Sequence, residues 1–192
     1  MQAGLLKRLG AYIIDIFIIN ILLIAVTSNL KTTNNYQDEI NTLTNKYIEK
    51  EISYMDFYNQ YNKLNYKVQK DNYIYYTVDL IMMIGYFIVF QALNKGQTIG
   101  KKILKLQIIK NDNSEIKIKD IIIRSIFIYN ILSLFLTGCF IKILNMKIYN
   151  NMYSVLVFIE TIFIIITIFF ILYRKDKRGL HDLMANTKVI SK

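Results

Sequence analysis

The sequence predicts an all-α transmembrane bundle of about four helices, with a small cytoplasmic β-hairpin or three-stranded sheet. Three observations predict it. Hydrophobic residues make up 54% of the 192 residues while charged residues still make up 20%, so the two classes are segregated into blocks. Four of the apolar blocks reach the roughly 20 helical residues needed to cross a hydrocarbon layer of about 30 Å. No proline interrupts any of them. Lipid offers no hydrogen-bond partners, so unbroken segments of this length satisfy their own backbone as helices rather than as barrel strands.

The spans are Leu9–Leu30, Tyr73–Leu93, Ile121–Ile143 and Met152–Tyr173, within a single domain covering 1–192. Lys7, Arg8, the following apolar run and the small residues at Ala25–Ser28 have the outline of a cleaved signal peptide. Asp15 falls inside that apolar run, however, and the run is long for a signal sequence, so an uncleaved first helix accounts for it better. The insertion Lys31–Asn72 reads as two short helices, the second capped by Ser53 with Asp56 three residues on. Tyr54, Tyr58 and Tyr61 then share one helical face, which packs on the membrane surface or on a neighbouring helix in preference to binding an external ligand. Tyr73, Tyr75 and Tyr76 mark the outer interface of the second span.

Between the second and third spans, Asn94–Asp120 contains Gly96-Gln97-Thr98-Ile99-Gly100-Lys101. This lacks the four-residue gap and the Ser/Thr after lysine of a phosphate-binding loop. Its glycines instead allow a sharp turn out of the span into a short amphipathic helix, Ile99–Leu104, with lysines facing anionic headgroups. Lys105–Lys110 and Glu115–Lys119 flank the turn formers Asn111–Ser114 as a hairpin, and Thr187–Ile190 could add a third strand.

Charge sets the orientation, because basic residues beside a span resist translocation. Lys7 and Arg8, seven lysines in Asn94–Asp120 and six basic residues after Tyr173 belong on one side, the cytoplasm. The insertion has six lysines balanced by six acids, and the turn after Ile143 adds Lys147. Both ends of the chain are therefore expected in the cytoplasm, in a cell membrane such as a bacterial inner membrane.

The net charge of +10 flanks the spans instead of gathering on one folded surface, so nucleic acid is not an expected partner; anionic headgroups are. One cysteine, Cys139, and one histidine, His181, provide neither an internal disulfide nor a Cys/His zinc cluster, and no metal or other cofactor is expected. No constellation indicates an enzyme.

Ionisable groups within spans are costly, by about 2.5–3.5 kcal/mol each, so each needs a partner, water or a task. Asp15, Asp79, Arg124 and Glu160 are such groups, and Asn20 adds a neutral one. A rise of 1.5 Å per residue puts Asp15 and Arg124 at roughly 6–10 Å above the cytoplasmic ends of their spans, and Asn20, Asp79 and Glu160 at roughly 18–21 Å. The lower layer predicts contacts of Arg8 with Asp182 and of Arg124 with Asp15. The upper layer predicts a proton or cation path at Asn20, Asp79 and Glu160, with fixed interhelical bonds as the simpler reading.

Ala3-Gly4-Leu5-Leu6-Lys7-Arg8-Leu9 leading to Tyr12-Ile13-Ile14-Asp15, then Gly96–Lys101, then Arg178-Gly179-Leu180-His181-Asp182-Leu183-Met184-Ala185-Asn186-Thr187, resemble the RDD family. The family is named for one arginine and two aspartates, which by match are Arg8, Asp15 and Asp182; Arg124 stands where members commonly carry an arginine opening a later span. The insertion carries no motif of the family, and lysine replaces the frequent arginine at position 7. The resemblance implies a membrane protein for which transport of an unidentified ligand has been proposed, with cation/proton exchange linked to some members. Two functions follow as expectations. One is a small transporter or exchanger, as a homo-oligomer because four helices enclose little space. The other is a non-transporting protein that organises lipids or a partner through its basic cytoplasmic face.

Overall fold

A computed structural model describes residues 2–28 and 36–192. The last two residues of the expected first span and the opening of the expected insertion, 29–35, lie outside the described residues. Helix α1, Leu5–Thr27, buries only Ala11, Asp15 and Ile19, a stripe at four-residue spacing. Its apolar residues Ile13, Phe17 and Ile24 are exposed. Acid inside and hydrocarbon outside is the arrangement of a helix surrounded by lipid.

The described part of the insertion forms two helices, α2 (Gln37–Ile48) and α3 (Tyr54–Asp71). Ser53 caps α3 as expected, its hydroxyl accepting from the Asp56 N–H at 3.1 Å. The tyrosine stripe is exposed at Tyr54, Tyr58 and Tyr61, and Tyr47 of α2 packs on Tyr54 and Phe57. Tyr66 donates to the Leu144 carbonyl at 2.8 Å, and Tyr149 donates to Gln69 at 2.6 Å, tying α3 to the end of the bundle.

The second span, α4 (Tyr73–Leu93), contains a π-helical stretch at Gly85–Phe90. That wider winding buries the consecutive residues Tyr86, Phe87 and Ile88. They form a core with Ile19, Tyr129 and Ile131.

Short helix α5, Ile99–Ile103, follows. Gly100 lets it lie directly on α1, where a Cβ would overlap the Ala11 carbonyl oxygen and approach Asp15 Oδ1 to 2.8 Å. This corrects one expectation: Lys101 does not face headgroups but turns inward and is buried.

Strand β1, Leu106–Lys110, pairs antiparallel with the tail strand β2, Thr187–Ser191, with Ile108 opposite Val189. Gln2 adds an isolated bridge to Ile190, so both ends of the chain meet on the sheet. The expected hairpin with Glu115–Lys119 is not formed. Asp120 accepts from the Lys117 N–H at 3.0 Å and starts a helix at Ile118, which removes that segment from strand pairing.

The third span is broken. Helices α6 (Ile118–Ile128) and α7 (Ile131–Phe140) meet at 72°, where Asn130 takes a left-handed conformation at φ 54° that asparagine tolerates better than most residues. Helix α8, Met146–Tyr173, starts earlier than hydropathy predicts because Asn145 caps it, accepting from the Ile148 N–H at 3.0 Å. The tail turns at Gly179 into α9, Leu180–Met184, and then into β2. Among the described residues three continuous helices are long and apolar enough to cross a membrane, and the bent pair makes four if it counts as one span.

Candidate functional site

The polar centre of the fold is Asp182, on the first turn of α9 and fully buried. Its Oδ2 meets Arg8 Nη1 at 2.6 Å and accepts from the Gly179 N–H at 3.2 Å. Its Oδ1 meets Arg124 Nη1 at 2.9 Å and accepts from the Thr187 hydroxyl at 3.4 Å. Burial alone would raise the carboxyl, but His181, Arg124 and Arg8 outweigh it and hold Asp182 well below the usual carboxylate range. The expected Arg8–Asp182 contact is present. Arg8 also donates to the carbonyls of Ala3 and Lys177, and Arg178 donates to the Thr187 carbonyl at 2.9 Å, so two arginines stitch the N-terminal turn and the tail together.

Asp15 has different partners from those expected. Tyr86 donates to its Oδ1 at 2.7 Å, the Gly100 N–H to Oδ1 at 2.7 Å, and Thr98 to Oδ2 at 2.6 Å. Arg124 pairs with Asp182 instead, because the tail brings a carboxylate to it while Tyr86 of α4, Thr98 at the N-cap of α5 and Gly100 of α5 bring three neutral donors to Asp15. Two carboxylates are thus satisfied by two separate donor sets. Lys101 stands between them: its Nζ donates to Tyr129 at 3.1 Å and to Gln91 and Thr98 at 3.4 Å. Burial lowers its ammonium to about 7, with Asp15 opposing that shift and Arg124 reinforcing it.

Beside this network lies a cavity of about 240 Å³, bounded by α1, α6, α8 and α9. Arg8, Lys101, Arg124 and His181 line it, together with Tyr12, Tyr129 and Thr167; no acid lines it among the described residues. The remaining walls are apolar, and three of the rim residues, Leu9, Tyr12 and Ile168, are 47%, 39% and 40% exposed on the outside of the candidate spans. Two of the lining residues carry a buried polar atom, Thr167 Oγ1 and His181 Nδ1, with no hydrogen-bond partner among the described residues. A buried polar group of that kind is costly unless something completes it.

The upper layer of acids does not converge. Asp79 lines a separate cavity of about 370 Å³ with Leu23, Thr27, Gln69, Asn72 and Tyr76, a lining that includes neither Asn20 nor Glu160. Asn20 is exposed and donates to the Ile16 carbonyl at 2.9 Å. Glu160 lies in reach of the Ser133 hydroxyl and N–H, with Oε1 unpartnered among the described residues. Equal depth along the spans did not bring the three residues into contact: no hydrogen bond joins them among the described residues. Among the described residues no group of three His, Cys, Asp or Glu side chains could hold a metal ion.

Sequence reasoning missed Lys101, Tyr86 and Thr167 as members of the site. The Gly96–Lys101 motif is visible in sequence, but amphipathic patterning alone points its lysine outward. Thr167 sits in an unbroken apolar run and gives no signal in sequence.

A family model described as RDD family matches residues 2–186, nearly the whole chain. No curated protein and no solved structure matches the chain.

Proposed function

From the premise that this chain belongs to the RDD family of membrane proteins, we propose that it binds and carries a small anion-bearing ligand at the cavity beside Asp182. The cell membrane is its location in this reading, with the N-terminus, the Asn94–Asp120 region and the C-terminus in the cytoplasm. The observation that carries the reading is the lining: two arginines and a lysine, no acid among the described residues, and two residues, Thr167 and His181, that each carry a buried polar atom without a hydrogen-bond partner. Asp182 offsets part of the positive charge, but it uses only Nη1 of Arg124, whose remaining donors are left for an anion in surroundings of low polarity.

The test is thermal unfolding of the purified protein in a neutral detergent at fixed ionic strength. Inorganic phosphate, laurate and dodecyl phosphate are added separately, with dodecyltrimethylammonium as the cationic control. A rise in Tm with at least one anionic probe and none with the control is expected. No rise with any anionic probe would remove the proposal.

A second reading is cation/proton exchange through the acids, which Asp79 favours because it lines a cavity of its own. Liposomes loaded with a pH dye and challenged with Na⁺ or K⁺ gradients test it. Proton movement lost in Asp79→Asn supports exchange, and equal movement in native protein, Asp79→Asn and Glu160→Gln counts against it.

A further inference from the structure

The cavity beside Asp182 combines three features that limit what can fill it. Its cations are not all consumed. Among the described residues the hydrogen bonds of Arg124 run from Nη1 alone, to Asp182 and Thr187, which leaves the donors on Nε and Nη2. Its unpartnered atoms differ in kind. The Thr167 hydroxyl can donate or accept. His181 is held neutral, its imidazole lowered to about 3 by burial, with Arg124, Arg8 and Lys101 adding to that effect and Asp182 opposing it. The Asp182 carboxylate, 3.5 Å from Nε2, favours the tautomer with the ring proton on Nε2 and Nδ1 as the acceptor. The arrangement is rigid: a Cβ on Gly179 would come within 2.9 Å of both Thr167 Cγ2 and His181 Cε1, so the tail turn clamps the two side chains.

A suitable head must therefore present negative oxygen to Arg124 and a hydroxyl to His181 within one compact group. A soluble anion meets the first requirement but not the setting, since the rim is formed by Leu9, Tyr12 and Ile168 on lipid-facing helices. Resting on the function proposed above, we infer that the cavity is a lateral lipid site taking an anionic amphiphile whose phosphate head carries a hydroxyl. The head sits between Arg124, Thr167 and His181, and the tail leaves between α1 and α8. A cavity of this size accepts the head and the first methylenes, and the rest of the tail lies along the exposed faces of the two helices.

Three probes test this by calorimetric titration into the purified full chain at about pH 6.5, where a phosphate monoester still carries one proton in part. They are dodecyl phosphate, dodecyl methyl phosphate, which has no P–OH, and inorganic phosphate. Dodecyl phosphate is expected to bind at one per chain, about tenfold more tightly than the methyl ester, the value of one hydrogen bond. Inorganic phosphate should be weaker than both. Thr167→Val, which removes the hydroxyl at constant volume, and Ile168→Trp, which obstructs the exposed rim without touching the buried network, should each weaken dodecyl phosphate about tenfold or more. Equal binding of inorganic and dodecyl phosphate overturns the lipid site while leaving the anion site standing. Equal binding of the two dodecyl esters overturns the hydroxyl contact at His181. Binding unchanged in both variants shows nonspecific partition and overturns the site, and no binding of any probe overturns the inference together with the anion site.

Discussion

Asp182→Asn replaces one buried charge at the point where the N-terminal turn, α6 and the tail meet. In the native chain the carboxylate is 2.6 Å from Arg8 and 2.9 Å from Arg124, with both arginines nearly buried. The amide keeps the shape and one acceptor, but it directs an NH₂ group at one arginine and leaves two guanidinium charges uncompensated. Breaking a buried pair from one side costs roughly 3–5 kcal/mol. At about 2–4 °C per kcal/mol for a chain of this length, Tm should fall on the order of 10 °C. Asp176 is the control, because it pairs with Arg174 at 2.9 Å among solvated groups; Asp176→Asn should leave Tm within about 2 °C. The assay is circular dichroism against temperature in a neutral detergent. The reasoning is refuted if Asp182→Asn loses no more than Asp176→Asn. A cycle adding Arg124→Gln sharpens it, since residues in one network should give a double loss well short of the sum of the single losses.

Gly100→Ala should lose roughly 1–3 kcal/mol, because the new methyl overlaps the Ala11 carbonyl and pushes the Gly100 N–H off Asp15; a transition unmoved in the same melt would show that α5 does not lie on α1 so closely. Lys101 makes stability rise with pH: between about 7 and its ordinary 10.5 the unfolded lysine holds a proton that the folded one, facing Asp15, Arg124, Asp182 and Arg8, does not. Lys101→Met should flatten that slope, and melts across the window that keep the native slope contradict the burial of the ammonium. A cysteine placed at Asn113 in a Cys139→Ser background should label only after the membrane is opened, and labelling from outside intact cells would defeat the proposed orientation.

The parts legible in sequence were those carried by one-dimensional patterns. Apolar block length located the spans, the Ser53–Asp56 pair located a helix start, and the position of Arg8 relative to Asp182 predicted a contact the structure contains. Capping and left-handed geometry moved the boundaries that hydropathy alone set, at Asn145 and at Asn130. The partner of Arg124 was not legible, because two buried carboxylates stood at similar depth and only the packing of Tyr86, Thr98 and Gly100 around α1 assigns neutral donors to Asp15. The sheet was half legible: Thr187–Ile190 joins Leu106–Lys110 as its alternation suggests, whereas Glu115–Lys119 alternates in the same way but runs into the helix that Asp120 starts. Asp79 and Glu160 illustrate the limit of depth arithmetic, which gives height along the bundle and no direction around it.

The central claim is that the acid-free cavity bounded by Arg124, Thr167 and His181 holds an anionic head. Native mass spectrometry of the protein, released from cell membranes in a neutral detergent, tests it most directly. One phosphate-bearing lipid retained per chain is expected, lost in Thr167→Val and in Ile168→Trp while both variants keep the native Tm to within a few degrees. A bare chain, or adducts retained equally by native protein and by both variants, would contradict it.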